Sequence, residues 1–140
     1  VMEVQRQYTA SAYTIDFKEH RVLLVHNAKL NKWLQPGGHI LDNELEVPSD
    51  AAIRETKEET GIDIKIIGPK LGDEVQPVAL RHYVNQVGDM IDIQYVAEPL
   101  NTELSSPDAI WQDIFLIDVN PCIDDKLKED VKSLYRQYTK

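Results

Sequence analysis

Glu55, Glu58 and Glu59 stand at i, i+3 and i+4 within a stretch from Pro48 to Thr60 that is rich in Ala, Glu, Lys and Arg. Pro48 suits a first helical turn, Asp50 and Glu55 lie toward the start, and Gly61 is a stop, so this stretch reads as a helix. On it, the three carboxylates share one face with Cβ atoms about 5–6 Å apart. Like charges so placed cost roughly 0.2–0.5 kcal/mol per pair in an isolated helix. Arg54 can reach Glu58 at i+4 but cannot neutralise all three. A hard divalent cation can, because Mg²⁺ takes oxygen ligands, typically a few carboxylates with waters and substrate phosphates. Spacing alone also fits a solvated acidic face, the commoner meaning of a Glu-rich stretch. The crowding is local: from Ile40 to Asp63 the acids Asp42, Glu44, Glu46, Asp50, Glu55, Glu58, Glu59 and Asp63 stand against only Arg54 and Lys57.

Upstream lies Gln35-Pro36-Gly37-Gly38-His39, preceded by the apolar pair Trp33-Leu34. Paired glycines let a backbone amide or carbonyl approach a ligand or metal where a Cβ would block it; they also make plain turns.

Together, Gly38, Glu46 and the run Arg54-Glu55-Thr56-Lys57-Glu58-Glu59-Thr60-Gly61-Ile62 resemble the signature of the Nudix hydrolases. That signature is Gly, five residues, Glu, seven residues, then Arg-Glu-U-x-Glu-Glu-x-Gly-U, with U bulky and apolar. Here Gly38 and Arg54 are two residues further apart than the pattern has them, which places an insertion in the loop. Counting back from Arg54 makes Glu46 the first motif glutamate; counting forward from Gly38 makes it Glu44. Pro48 at the helix start, where the family often has a proline, favours Glu46. Thr56 takes an apolar position, which is tolerable if its methyl packs and its hydroxyl bonds a carbonyl one turn back.

The resemblance implies a fold, a mixed β-sheet sandwiched between α-helices, covering nearly the whole chain. It also implies an activity: metal-dependent hydrolysis of a diphosphate bond in a nucleoside diphosphate linked to another moiety, using Mg²⁺ or Mn²⁺. By position, Glu55, Glu58 and Glu59 are the implied metal ligands, joined by the backbone carbonyl of Gly37. One of them, or a loop carboxylate, takes the proton from water, and Arg54 orients the carboxylates. Glu103 and Asp108, ahead of Trp111, are candidate bases and equally ordinary exposed loop residues. Tyr13, Arg81, His82 and Tyr83 are candidates by type for recognising the nucleotide-type substrate, although strand aromatics and histidines usually serve structure. Two other readings stay open: a catalytically weak nucleotide-binding sensor of the same fold, and an acidic protein whose helix is merely solvated. Loss of a helix glutamate would favour the sensor, and none is missing. Homodimers are common in the family, but no residue here points to one.

These groups must be positioned by the rest of the chain. Tyr8–Ile15 and Arg21–His26 read as strands, the second buried on both faces, joined as an antiparallel pair through Asp16–His20. Ile62–Ile67, Val78–Val84 and Met90–Ala97 read as three more strands, with Gly68-Pro69, Val87-Gly88-Asp89 and Ser105-Ser106-Pro107-Asp108 as turns or loops. After Pro121, the residues Leu127, Val131, Leu134, Tyr135 and Tyr138 form the stripe of an amphipathic helix. The order strands, helix, strands, helix lacks the alternation of a doubly wound sheet, so the fold class is α+β, a mixed sheet covered by helices.

The chain's 140 residues suit a single domain, residues 1–140, and 42% hydrophobic with 28% charged residues suits a folded one. A formal charge of −9 argues against stable nucleic-acid binding. No apolar run approaches the roughly 18 residues of a membrane span, and no signal-peptide pattern opens the chain, so a cytoplasmic protein is expected. Cys122 alone cannot form an internal disulfide and reads as a small, buried or half-buried apolar residue. His20, His26, His39 and His82 show no zinc-ligand spacing, and no P-loop, nucleophile elbow or His-Glu-x-x-His pair is present.

Overall fold

The computed structural model describes residues 5–85 and 88–140. In chain order the elements are β1 (Arg6–Asp16), β2 (Arg21–Asn27), β3 (Lys32–Leu34), β4 (Gly37–His39), α1 (Pro48–Thr60), β5 (Ile64–Gly68), β6 (Lys70–Leu71), β7 (Glu74–Val75), β8 (Ala79–Asn85), β9 (Gly88–Pro99), β10 (Ala109–Asp113) and α2 (Asp125–Tyr138). Short 3₁₀ turns cover Asp42–Glu44 and Ile114–Val119. Among the described residues, no helix is long and apolar enough to cross a membrane.

β1 is the spine of a mixed sheet ordered β10-β2-β1-β9-β5. One edge pairs in parallel with β9 from Arg6↔Asp89 to Thr14↔Ala97. The other edge pairs antiparallel, first with β4 at Thr9↔His39, Ala10↔Gly38 and Ser11↔Gly37, then with β2 at Ile15↔Val22 and Asp16↔Arg21. The expected first hairpin is therefore present, and the fold is α+β with the sheet between the two helices. Of the expected turn Val87-Gly88-Asp89, Val87 lies outside the described residues, while Gly88 and Asp89 already belong to β9, which begins earlier than the sequence pattern suggests.

Alternation along β1 divides the core between two faces. Ala10 and Ala12 join Leu23, Tyr95, Ala97, Ile62, Ile64 and Ile66 against Ala51 and Ala52 of α1. Tyr13 and Ile15 join Val22, Leu24 and Val96 against Leu127, Val131 and Leu134 of α2. α1 buries only Ala51, Ala52, Thr56 and Thr60, and such small side chains let its backbone lie close to the alanines of the sheet. Thr56 is fully buried, and its hydroxyl donates to the Ala52 carbonyl at 2.7 Å, which meets the condition set by its apolar position. Thr60 repeats the arrangement onto the Thr56 carbonyl at 2.6 Å. Gly61 ends the helix in the left-handed region (φ 81°), its N–H bonded to the Lys57 carbonyl.

Candidate active site

The Gly37-Gly38 pair joins α1 to the sheet. In the β1–β4 ladder, Ala12 donates to the Pro36 carbonyl and Ile40 to the Tyr8 carbonyl, each at 3.1 Å. Antiparallel pairs alternate in type, so Ala10↔Gly38, between these two, is hydrogen-bonded and Ser11↔Gly37 is not. Both backbone groups of Gly37 thus point away from β1, and its N–H donates to Glu59 Oε1 at 3.0 Å, leaving its carbonyl on the same α1-facing edge. Gly38 faces α1 directly: a Cβ there would lie 2.5 Å from the carboxyl carbon of Glu55. Only glycine lets that carboxylate rest where it does.

Arg54 spends its donors on three carboxylates. Its Nε and Nη2 bond the two oxygens of Glu46 at 2.8 and 3.1 Å, its Nη1 bonds Glu55 at 3.0 Å and Glu58 at 3.2 Å, and Nη2 also reaches the His39 carbonyl at 3.0 Å. Glu46, which also accepts the Leu41 N–H, is therefore the glutamate that engages the helix, whereas Glu44 is exposed. The fork on Glu46, and then the bonds to Glu55 and Glu58, hold the guanidinium charged well above its ordinary range. In return the Arg54 fork holds Glu46 below the usual carboxylate range.

Glu59 stands apart from this cluster. Burial pushes its carboxyl up to about 7 against the pull of the Gly37 N–H, and the negative charges of Glu55 and Glu58 push the same way. The three helix glutamates share a face as the spacing requires, but Glu55 and Glu58 turn to Arg54 and Glu59 to Gly37. Among the described residues, no three His, Cys, Asp or Glu side chains are grouped so as to hold a metal ion. The chemistry of the donor set nonetheless fits a hard divalent cation: it is all oxygen, with a backbone carbonyl on the same edge, and it holds more negative charge than one arginine offsets.

On the α2 face, Gly37 and Gly38 border a cleft of about 490 Å³ that runs along β1, β8 and β9 to the start of α2. Its floor is a polar network. Asp92 accepts Thr9 at 2.9 Å, Ser11 at 2.8 Å and Gln94 at 2.9 Å, and Tyr13 donates to Asp130 at 3.0 Å. Arg81 forks onto Asp130, with Nη2 at 2.9 Å from Oδ1. Burial pushes Asp130 up, but its bonds from Arg81 and Tyr13 hold it below the carboxylate range. Burial, and then Asp130, push the Tyr13 phenol up.

Of the four residues singled out for recognition, Tyr13, Arg81 and Tyr83 line this cleft; His82 does not, and bonds Asp89 instead. Glu103 and Asp108 are exposed on a loop anchored to the end of α1 by Ser105 N–H on the Thr60 carbonyl at 2.9 Å. Sequence reasoning missed Ser11, Asp92, Gln94 and Asp130. The signal was present for three of them: Thr9 with Ser11, and Asp92 with Gln94, are polar pairs at i, i+2 on one face of strands that are otherwise apolar.

A family model described as NUDIX domain matches residues 5–116, and the chain belongs to the Nudix hydrolase family. Its fold is shared with a NUDIX-family hydrolase from Clostridium perfringens at 24% identity and a TM-score of 0.83, over 96% of this chain and 99% of that one. It is also shared with an Ap4A hydrolase from C. elegans at 22% identity and a TM-score of 0.64, over 96% of each chain. A UDP-X diphosphatase aligns at 18% identity and a TM-score of 0.67, over 99% of this chain and 65% of that one. No curated protein matches the sequence.

Proposed function

We propose that this chain hydrolyses a diphosphate bond in a nucleoside diphosphate linked to another moiety, with Mg²⁺ or Mn²⁺ held by Glu55, Glu58, Glu59 and the Gly37 carbonyl. The observation that carries this reading is the double role of Gly37. It donates to Glu59 at one edge and borders the substrate-sized cleft on the other, so a ligand filling the cleft presents its diphosphate to the acidic face. A bound divalent ion supplies charge neutralisation of the diphosphate and a lowered pKa for the attacking water. The protein's own contribution is placement. Arg54 fixes Glu46, Glu55 and Glu58 relative to one another. Glu59 accepts the Gly37 N–H at Oε1 and so stands beside the Gly37 carbonyl, and one of the helix glutamates, or a loop carboxylate, takes the proton from the attacking water. Tyr13, Arg81 and Tyr83 contact the nucleoside or the group beyond the diphosphate.

Two of the fold relatives bear the names of different substrates, Ap4A and UDP-X, so the fold does not select one. The test is a panel of nucleoside triphosphates, nucleotide sugars, dinucleoside polyphosphates and CDP-alcohols, assayed with Mg²⁺ or Mn²⁺ for phosphate or pyrophosphate release. At least one is cleaved, and Glu58→Gln, which removes charge with little change of volume, keeps the fold and loses about a hundredfold or more of turnover. Full activity of Glu58→Gln would sink the mechanism.

A further inference from the structure

Nine of the chain's 15 lysines and arginines form ion pairs, as its surplus of acids leads one to expect. Six do not among the described residues: Lys18, Lys29, Lys65, Lys70, Arg136 and Lys140. Four of these six, Lys18, Lys65, Lys70 and Lys140, line one cavity of about 600 Å³. It lies where the end of β1, β5, β6 and the end of α2 meet. Its one acidic side chain among the described residues is Glu98, the cross-strand partner of Lys65, which forms no ion pair with it.

The strands explain the convergence. Ile64 and Ile66 are buried against the α1 side, so Lys65 and Ile67 face the other way, and the register shift between Ile66 and Gly68 ends the strand beside Lys70. The cavity walls are aromatic: Phe17 and Tyr138 are half-buried, and His20 is fixed by a 2.5 Å hydrogen bond between its Nδ1 and the Tyr135 hydroxyl. The volume is that of a small-molecule site. Tyr13, the cleft residue of β1 nearest to it in sequence, is four residues before Phe17, about 13 Å of extended chain, and the two cavities have no lining residue in common, so this cavity is distinct from the candidate active site.

We propose that this cavity binds a small phosphorylated ligand of the nucleotide class, its phosphates met by Lys18, Lys65 and Lys70 and its flat ring by Phe17 and Tyr138. Unpaired lysines attract phosphate from solution, and concave walls concentrate their field. The site needs no metal ion, which distinguishes it from the acidic face of α1.

The test is titration of the ¹⁵N-labelled protein, in metal-depleted buffer at low ionic strength, with ADP, tripolyphosphate and adenosine in separate arms. ADP is expected to give saturable amide shifts at residues 65–68, 70 and 138–140, with tripolyphosphate weaker and adenosine weaker still. Lys65 and Lys70 are exposed, so Lys65→Gln/Lys70→Gln keeps its Tm and weakens ADP binding about tenfold or more, whereas Glu58→Gln leaves it unchanged. Absence of saturable shifts, shifts confined to Gly37, Gly38 and Glu59, or unchanged affinity in the double variant would each overturn the site. Tripolyphosphate binding as tightly as ADP would overturn the role of the ring.

Discussion

Toward α1 the sheet presents Ala10, Ala12 and Ala97, and the helix answers with Ala51, Ala52 and two threonines whose hydroxyls are turned back onto their own helix. Toward α2 the same strands present Thr9, Ser11, Asp92 and Gln94, tied to one another and open to a cleft. The first side is dry and closely packed, so it fixes the height and rotation of a helix that carries three like charges. The second is polar and concave, so it can take up a ligand. In the proposed reading one side holds charge and the other recognises shape, and the two tasks meet along Gly37-Gly38.

That separation is broken most directly at Gly38. Gly38→Ala puts a methyl against the Glu55 carboxyl, a flexible end that can move aside, so the protein folds but its carboxylate is displaced by an ångström or more. The expected result is a loss of about a hundredfold in kcat with little change in KM, read by steady-state kinetics on whichever panel substrate is cleaved. A variant with normal kcat would show that the position of Glu55 is immaterial.

On the other face the same comparison predicts the opposite split. Arg81→Ala removes the fork on Asp130 and widens the cleft without touching α1, so KM should rise about tenfold while kcat stays within a few-fold. Equal falls in kcat would merge the two tasks.

Glu59 sharpens the comparison through pH. Its folded pKa of about 7 lies above the ordinary carboxylate value, so the neutral form is favoured on folding. The stability it contributes is complete below about pH 4.5 and disappears as pH rises through 7. In metal-depleted buffer, the Tm of Glu59→Gln minus that of the parent should therefore be more positive at pH 8 than at pH 5, by the equivalent of about 2 kcal/mol. A difference that does not vary with pH would mean that Glu59 is ionised throughout.

The smallest effect belongs to Thr14, whose hydroxyl is the one buried side-chain polar atom without a hydrogen-bond partner among the described residues. Thr14→Val should leave turnover intact and hold or raise stability by up to about 1 kcal/mol in urea denaturation. Destabilisation there would reveal a bonded hydroxyl.

Strongly periodic segments were legible from sequence: α1 spans Pro48–Thr60 with its Gly61 stop, α2 carries the Leu127, Val131, Leu134 stripe, and β1 and β2 form the expected hairpin. Strands of two or three residues were not, because β3, β4, β6 and β7 are too short for alternation to register and owe their existence to a neighbour already in place. β10, though five residues long, went unread beside Trp111. At the site, the motif placed Glu46 and Arg54 in one pattern, and the fold bonds these two while Glu44 stays exposed. The cleft could not, since Asp130 meets Arg81 from 49 positions away and only the folded sheet brings them together.

The parity of β4 also determines where this chain could grow longer. Gly37 offers its amide sideways and Gly38 offers bare backbone toward the helix, so sliding the strand by a single position would bring Pro36 or His39 to a place now held by glycine and aim the remaining glycine at the wrong neighbour. Extra residues placed beyond His39 leave that registration untouched, because Glu46 can be drawn back to Arg54 across a loop of adjustable contour. The two additional residues between Gly38 and Arg54 are accommodated in that span.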